Sequence, residues 1–339
     1  MKKRKSQIPL ISVSAFLVVA LVAAFVMLLV PMARHKAMIR IPQGATRQQV
    51  HDSLAKYLGE GYASRVMGIS GAAGLHPEKR HGLYAIPSGA SPLRAAWTLG
   101  RRAQTPVTLV INGQRTTPEL VSLVVTATDN KADAVDSILT SPSFLRQYGL
   151  TPDNAMALFL NNSFQVYWSA DAATVLKKLG DNYNKFWNDS RRRKASALGL
   201  RPDEVVTLAS IVEEESNVRG EHGRIARLYM NRMKKGMRLQ ADPTVKYAVG
   251  DFAIKRVTKE MLFTQSPYNT YRNAGLPPGP IRAVDPRTID AVLDAPATGD
   301  LYMCANPDFS GTHIFASTFE EHTRNAREYQ KALNRADIH

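Results

Sequence analysis

The longest apolar stretch of the chain runs from Leu10 to Val30 and contains no charged residue. These 21 residues are enough to cross a bilayer as a helix. We therefore predict a single-pass transmembrane helix over 10–32, preceded by a basic cytoplasmic segment over 1–9. A cleaved signal peptide is the alternative, but the run is long and no small-x-small cleavage site follows it. The rest of the chain is expected on the periplasmic, extracytoplasmic side of an inner membrane.

Helix-like and strand-like patterns alternate after this run. Between 38 and 104 they predict a small α+β module. Its expected elements are a strand and turn over 40–44, a helix over 46–58, a strand near 83–86 and a helix over 91–100. The glycine-rich segment Gly68–Gly74 is predicted to separate its two halves.

The residues over 105–339 predict a larger domain of mixed α+β class. Strands are expected over 107–111, 301–305 and 312–316. Helices are expected over 117–128, 131–140, 142–148, 171–197, 221–235, 286–295 and 318–334, with one more that begins at Asp203. Two segments rich in turn residues, 239–250 and 266–283, are predicted to be irregular loops.

Three glutamates crowd the end of the helix that begins at Asp203. Its apolar residues recur at spacings of three and four, which predicts one buried face. That face consists of Val205, Leu208, Ala209 and Val212. At about 100° per residue, Glu214 points away from this face and toward water, and Glu213 points toward its flank, whereas Glu215 lies on its border. A carboxyl on such a border is partly desolvated, which raises its pKa as a general acid requires. Acids in the last turn of a helix are usually solvated, so the spacing alone makes Glu215 only a candidate.

The loop over 266–283 combines aromatic rings with amides and hydroxyls. Tyr268, Asn269, Thr270 and Tyr271 precede a run rich in glycine and proline, which fixes the backbone. Such a surface suits a sugar, because its CH faces stack on rings while its hydroxyls form hydrogen bonds. A structural proline loop with buried tyrosines is the alternative that the pattern leaves open.

Charge and composition narrow the choice of partner. The net charge is +15, and seven positive charges lie in the first 40 residues, which contain no acid and so leave +8 for the rest. This excess suits a membrane surface or an acidic polymer. No helix carries the dense basic stripe of a DNA reader, so no nucleic-acid partner is expected.

The single cysteine, Cys304, excludes an intramolecular disulfide and is predicted to be buried in a strand. The eight histidines form no metal-binding pattern, and neither a metal nor another cofactor is expected.

Four ordered motifs are similar to those of one family. They are ASIVEEES at 209–216, YMNRMKKGMRLQADPTVKYAVG at 229–250, SPYNTYRNAGLPPGPI at 266–281 and HIF at 313–315. In them the chain resembles the MltG (YceG-like) family of membrane-anchored endolytic peptidoglycan transglycosylases. The resemblance implies a LysM-like subdomain over 38–104 and a YceG-like catalytic domain over 105–339. The chain departs from the family at Glu214, where relatives often have lysine, and at 159–168, which lacks a proline that they often carry.

The resemblance also implies a catalytic acid and a substrate groove. The second glutamate of the E-x-E-[ST] motif falls on Glu215. The groove for peptidoglycan glycan strands would be lined by Ser216, Asn231, Gln240, Asp242, Tyr268, Asn269, Thr270 and Tyr271. Two interpretations of Asp242 stay open, assistance to the chemistry and capping of the turn at Pro243. Asn231 and Arg232 have the alternative role of locking two helices together.

The implied reaction needs only one carboxyl group. A lytic transglycosylase cuts between MurNAc and GlcNAc without water and leaves a 1,6-anhydro end, an event expected to terminate glycan elongation. A glycoside hydrolase ordinarily uses two carboxyl groups. A water-using muramidase and a non-catalytic wall-binding scaffold are the alternatives. Expected partners are glycan strands and the inner membrane, with peptidoglycan synthases as further candidates.

Overall fold

A computed structural model gives the fold for residues 8–29 and 32–336, without the side chains of 8–14 and 27–29. The fold is of mixed α+β class. The helices are α1 (Ile8–Leu29), α2 (Arg47–Leu58), α3 (Glu60–Ala72), α4 (Pro92–Arg101), α5 (Thr117–Ala127), α6 (Ala132–Leu139), α7 (Pro142–Leu145), α8 (Ala172–Phe186), α9 (Asp189–Ala197), α10 (Pro202–Glu215), α11 (His222–Lys234), α12 (Asp242–Val249), α13 (Pro286–Leu293) and α14 (Phe319–Arg335). The strands are β1 (Ala37–Ile41), β2 (Gly82–Ile86), β3 (Val107–Ile111), β4 (Asn162–Val166), β5 (Tyr302–Ala305) and β6 (His313–Ala316).

The described residues divide into two compact units. The first contains those up to Thr108 together with 127–130 and 165–171, and the second contains the rest. In the first unit β1 and β2 pair antiparallel, with Ala37 opposite Ile86. In the second unit β5 and β6 also pair antiparallel, with Tyr302 opposite Ala316.

The predicted separator Gly68–Gly74 is for the most part helical. Residues up to Ala72 belong to α3, so the expectation of a break was wrong. Each glycine inside a helix costs about 1 kcal/mol, but α3 buries Val66, Met67 and Ile69, and this burial outweighs the cost. The first strand also begins three residues earlier than expected, at Ala37.

The predicted transmembrane span falls partly outside the described residues. No helix among them is sufficiently long and apolar for a membrane crossing. The span over 10–32 includes 10–14 and 27–31, whose side chains lie outside the described residues. The membrane anchor therefore stays a prediction.

Helix α10 is the centre of the second unit. Every residue from Val205 to Val212 is buried, so the helix is enclosed on all sides and not along one face as expected. It packs against α11, α12 and α13. The buried part of the helix ends at Val212, and the three glutamates that follow are half-buried.

Two further elements differ from expectation. The helix predicted over 171–197 is divided into α8 and α9, because the Asn188 side chain caps α9 by accepting a hydrogen bond from the Arg191 amide at 3.0 Å. The predicted loop over 239–250 contains α12. Pro243 lies in its first turn, where proline is tolerated, and Gly250 ends it with a left-handed backbone (φ 79°).

Candidate active site

Glu215 is the last residue of α10, at the junction with α11. The helix ends because Ser216 is extended, with φ −142° and ψ 134°. The Ser216 carbonyl accepts a hydrogen bond from Nε2 of His222 at 2.8 Å, which ties the end of α10 to the start of α11. Farther along α11, the hydroxyl of Tyr229 donates to Oε2 of Glu215 at 3.2 Å. The two helices together hold the Glu215 carboxyl in place.

Glu215 lines a cavity of about 400 Å³. The other lining side chains come from α11, the segment 239–242, the loop at Tyr271, the β5–β6 hairpin and α14. Burial raises the pKa of Glu215 to about 7, and the negative charge of Asp242 adds to this rise. His313, the hydrogen bond from Tyr229 and the charge of Lys246 act in the opposite direction. Near neutral pH the group can therefore both donate a proton and take one back.

Asp242 is the second carboxyl group of the cavity. It is exposed at the start of α12, and the hydroxyl of Tyr271 donates to its Oδ1 at 2.6 Å. Burial raises the pKa of Tyr271, and the hydrogen bond to Asp242 adds to the rise, so the phenol keeps its proton. Within the described part of the chain, α12 begins without a side-chain cap, and the Asp242 side chain accepts from Tyr271. Its contribution to the site is a negative charge near Glu215.

The other two glutamates are held in ion pairs. Oε2 of Glu214 accepts from Arg115 at 2.9 Å, and Oε1 accepts from Arg282 at 2.5 Å. Glu213 accepts from the Asp285 amide at 2.9 Å. The expectation that Glu214 points into water was wrong, because two guanidinium groups draw its half-buried side chain against the protein.

His313 enters the cavity wall from β6 and is oriented by a carboxylate. Its Nδ1 lies 3.1 Å from Oε2 of Glu221, and its backbone amide donates to Oε1 of the same side chain at 2.7 Å. Because Nδ1 is engaged, Nε2 is the ring nitrogen available to a ligand. The HIF motif was the sequence signal for this residue.

Three of the predicted groove residues line the cavity: Gln240, Asp242 and Tyr271. Gln240 adopts a left-handed backbone (φ 53°), which costs a non-glycine residue about 1 kcal/mol. Oε1 of its side chain accepts from Nη2 of Arg232 at 2.6 Å, and its backbone amide donates to the Thr270 carbonyl at 3.2 Å. These two bonds hold the turn in the conformation that brings Gln240 and Asp242 to the cavity.

The structure does not bring the loop residues Tyr268, Asn269 and Thr270 to the cavity. Asn269 is fully buried, and its amide donates to the carbonyls of Leu262 and Thr264. Thr270 is also buried and accepts from the Ala241 amide at 3.0 Å. The Tyr268 ring packs on that of Tyr247, with centroids 4.6 Å apart. These side chains shape the loop that presents Tyr271.

Ser216 and Asn231 also lie away from the cavity. Ser216 is buried, and its hydroxyl accepts from the Val218 amide at 3.1 Å, so it shapes the turn after α10. Asn231 donates to the carbonyls of Thr298 and Asp300, so it locks α11 to a neighbouring loop.

The cavity also contains residues that sequence reasoning did not assign to a groove. Arg232 had been given only a locking role, and Tyr302 and His322 had no sequence signal. Cys304 lines the cavity and is half-buried, not buried as expected, and burial raises its pKa. Among the described residues, no group of three or more His, Cys, Asp or Glu side chains is arranged to hold a metal ion.

Comparison with known proteins identifies the family to which the chain is similar. A sequence model described as the YceG-like family matches residues 39–328. The endolytic murein transglycosylase of Bacillus subtilis (strain 168) is 34% identical over 160 residues, which are 47% of this chain and 42% of that protein. The endolytic murein transglycosylase of Streptococcus pneumoniae serotype 2 is 31% identical over 134 residues, which are 38% of this chain and 24% of that protein. The chain thus matches less than half the length of either relative.

A solved structure shares the fold. The crystal structure of a YceG-like protein from Listeria monocytogenes superposes with a TM-score of 0.58 at 23% identity. The superposition covers 86% of this chain and 98% of that one. It covers more of the chain than the segments shared with the two murein transglycosylases.

Proposed function

The chain belongs to the YceG-like family, and we propose that it is a lytic transglycosylase that cuts peptidoglycan glycan strands between MurNAc and GlcNAc. The observation that carries the proposal is Glu215, a carboxyl in a cavity whose surroundings raise its pKa to about 7. A group with this pKa can act as an acid and then as a base at neutral pH. The names of the two murein transglycosylase relatives agree with this assignment.

In the proposed mechanism a single proton moves out and back. Protonated Glu215 donates to the oxygen that links C1 of MurNAc to GlcNAc, and the C1–O bond breaks as an oxocarbenium-like centre develops. The ionised carboxylate then takes the proton of the C6 hydroxyl of the same MurNAc, and that oxygen bonds to C1. A 1,6-anhydro end results, no water is consumed, and Glu215 is protonated again.

The surroundings of Glu215 support both halves of this cycle. Burial and Asp242 favour the neutral acid before cleavage. The Tyr229 hydroxyl, which donates to Oε2, stabilises the carboxylate that exists after the first proton transfer. Asp242 carries a negative charge near the forming cation, so its role is electrostatic.

The proposal is tested by mass spectrometry of the products. The full chain, solubilised in detergent, is incubated with purified glycan strands. We expect ends that are lighter by one water and lack a reducing terminus, and we expect none from Glu215→Gln. Glu328→Gln, whose exposed side chain lies farther along α14 and does not line the cavity, is the matched control and should cut at the wild-type rate.

Other results of this experiment would favour another function or exclude Glu215 from the mechanism. Reducing ends that incorporate solvent oxygen would identify a water-using muramidase. Binding of glycan without any soluble product would identify a scaffold. Unchanged cleavage by a folded Glu215→Gln protein would remove this residue from the mechanism.

We further propose that α1 anchors the chain in the inner membrane, with the second unit outside the cytoplasm where its glycan substrate lies. The proposal is supported by the uncharged run Leu10–Val30 and by the exposed apolar side chains of α1, such as Phe16 and Phe25. Peptidoglycan synthases remain candidate partners in that membrane. The LysM-like character of the module over 38–104 stays a prediction.

The anchor is tested by fractionation. Native chain is expected in alkaline-washed membranes, whereas the double variant Val19→Lys/Val22→Lys should leave them, since each central lysine costs about 3 kcal/mol in a bilayer. Val249→Lys on α12 is the control. Equal membrane retention of all three proteins would contradict the anchor.

A further inference from the structure

Arg232 is a buried cation in the cavity wall that has no acidic partner among the described residues. Its side chain is largely enclosed, with the residue 7% exposed. Its guanidinium donates to three neutral acceptors: the Arg238 carbonyl at 2.9 Å, the Leu301 carbonyl at 2.9 Å and Oε1 of Gln240 at 2.6 Å. These contacts satisfy hydrogen bonds but do not balance its charge.

An unbalanced buried charge is costly, so it suggests a partner that is supplied from outside. Removing a guanidinium from water without a counter-ion costs several kcal/mol. Burial accordingly lowers the pKa of Arg232. A guanidinium has five N–H donors, and three are engaged by the described residues. The other two are available to a ligand with two acceptor atoms, as in the bidentate pairing of arginine with carboxylate.

Two further polar side chains stand beside Arg232 in the same wall. The rings of Tyr302 and His322 stack, with centroids 5.4 Å apart and planes 20° from parallel. The Arg232 guanidinium lies 5.7 Å from the centre of the Tyr302 ring. Nδ1 of His322 is buried and has no hydrogen-bond partner within the described part of the chain. Nε2 is therefore the His322 atom that a ligand can reach.

We propose that the Arg232 wall, formed by Arg232, Tyr302 and His322, binds a carboxylate of the glycan substrate. Two carboxylates have the required chemistry: the lactyl group of a MurNAc residue that has lost its peptide, and an acidic group of the stem peptide. The inference rests on the proposed function, since it assigns a substrate group to the same cavity. It makes the wall a determinant of specificity and leaves the bond-breaking step to Glu215.

The charges of the cavity predict the orientation in which a MurNAc residue binds. Asp242 and, when ionised, Glu215 repel a carboxylate, whereas Arg232 attracts it. A MurNAc residue would therefore enter with its acidic substituent toward the Arg232 wall. This orientation would distinguish MurNAc from GlcNAc, which has no carboxylate.

Binding to the inactive full-length Glu215→Gln protein tests the inference without turnover. Calorimetry would compare short glycans with a free lactyl carboxylate, with its methylamide, with a native stem peptide and with a stem peptide whose carboxylates are amidated. We expect the neutral member of at least one pair to bind roughly tenfold more weakly, as loss of a charge-assisted contact implies. The pair that differs identifies the carboxylate. Equal affinities within both pairs would overturn the inference.

Variants assign the effect to the wall. In the same inactive background, His322→Phe keeps the ring that stacks on Tyr302 but removes Nε2, and we expect it to reduce the difference between charged and neutral glycans severalfold. Arg232→Gln should abolish the difference. Arg227→Gln is the matched control, because Arg227 also lies on α11 and also donates to two carbonyls, those of Ala295 and Pro296, but it does not line the cavity.

The pattern of affinities separates recognition from structural support. If Arg232→Gln does not fold, His322→Phe alone decides the matter. A variant that weakens charged and neutral glycans equally would show that the wall only supports the fold, and the inference would fail. Formation of anhydro ends by the wild-type chain is measured separately, so a failure of the proposed function is recognised independently.

Discussion

A single residue, Glu215, differs from the two glutamates before it by the groups that surround it. Glu214 is paired with two guanidinium groups, and Glu213 accepts a backbone amide. Glu215 receives a hydrogen bond from the Tyr229 hydroxyl, and no arginine of the described part of the chain pairs with it. Two of these chemically identical side chains thus have structural roles, and the third has the reactive role that we propose.

The pH dependence of activity should report the surroundings of Glu215. Cleavage needs the protonated acid, so the rate is expected to fall as pH rises past about 7. Asp242→Asn removes a negative charge that raises the pKa of Glu215, so the pKa should fall and the alkaline limb should move to lower pH. Activity above pH 7 would then drop by up to roughly tenfold, as a one-unit displacement implies. The rate of anhydro-end formation between pH 5 and 9 measures the limb.

A matched variant controls this profile. Asp251→Asn neutralises an exposed carboxyl that does not line the cavity and should leave the limb in place. A limb that stays fixed in Asp242→Asn, or that moves to higher pH, would contradict the electrostatic role of Asp242.

At the residue scale, the sequence predicted the position of the acid better than it predicted the residues that line the cavity. The border position of Glu215 follows from helical spacing, because Val212 and Ile211 lie within one turn of it. Tyr302 and His322 were missed because they follow Glu215 by 87 and 107 positions in the chain. Periodicity describes neighbours within an element and carries no information on such distant pairings.

The elements explain why α10 is buried more completely than its pattern predicted. Thr207 and Ser210 interrupt the apolar pattern and were not assigned to the core. Their hydroxyls donate to the carbonyls of Asp203 and Thr207, at 2.8 and 2.7 Å. A hydroxyl that bonds within its own helix can be buried at little cost, so these positions face other elements and not water.

The stability of the protein around the end of α10 is expected to depend on the sign of the charge at position 214. Glu214→Lys would place a third cation beside Arg115 and Arg282, and we expect a loss of about 2–4 kcal/mol in the free energy of unfolding. Chemical denaturation followed by circular dichroism measures the loss. The double variant Glu214→Lys/Arg282→Glu restores one pair of opposite charges and should regain part of the stability. A single variant as stable as wild type would show that the pairs contribute nothing.

Gly279 is expected to be indispensable to the packing of its loop. A Cβ at this position would lie 2.6 Å from the Asp153 carbonyl oxygen and 3.0 Å from Cα of Asn154, both backbone atoms. Gly279→Ala should therefore cost about 1–3 kcal/mol of stability. Gly220→Ala, where a Cβ meets nothing within 4 Å, is the control and should be neutral or slightly stabilising. Equal melting temperatures for the two variants would contradict the close approach.

For the whole molecule, the two compact units do not follow chain order. Segments 127–130 and 165–171 belong to the first unit although they lie beyond residue 108. Within that unit, Nε2 of His81 lies 3.0 Å from Asp129, and Nε2 of Gln104 donates to Ser169 at 2.7 Å. The sequence predicted a domain boundary at 104–105 from a change of pattern. A change of pattern marks the end of one segment, but it does not show that later segments of the chain pack into the first unit.

This arrangement predicts that the fragment 105–339 is less stable than the full chain. The fragment would lack His81, whose ring lies 5.6 Å from that of Trp168, and would expose this buried tryptophan. We expect its melting temperature to be lower by about 5 °C or more, since each kcal/mol shifts a chain of this size by about 2–4 °C. Tryptophan fluorescence and calorimetry measure the change. The fragment 33–339 keeps both segments and their contacts and serves as the control; equal melting of the two fragments would contradict the division.

The cavity draws its walls from segments of the second unit that are far apart in the chain, and this has a consequence for newly made protein. Glu215 leaves the ribosome about 100 residues before His322 of α14 does. At roughly 5–20 residues per second, the acid waits about 5–20 s for β5, β6 and α14 to enclose it. A nascent chain therefore carries its acid in open water, where a carboxyl has no reason to hold its proton at neutral pH. Under the proposed function, an unfinished chain is thereby prevented from cutting peptidoglycan.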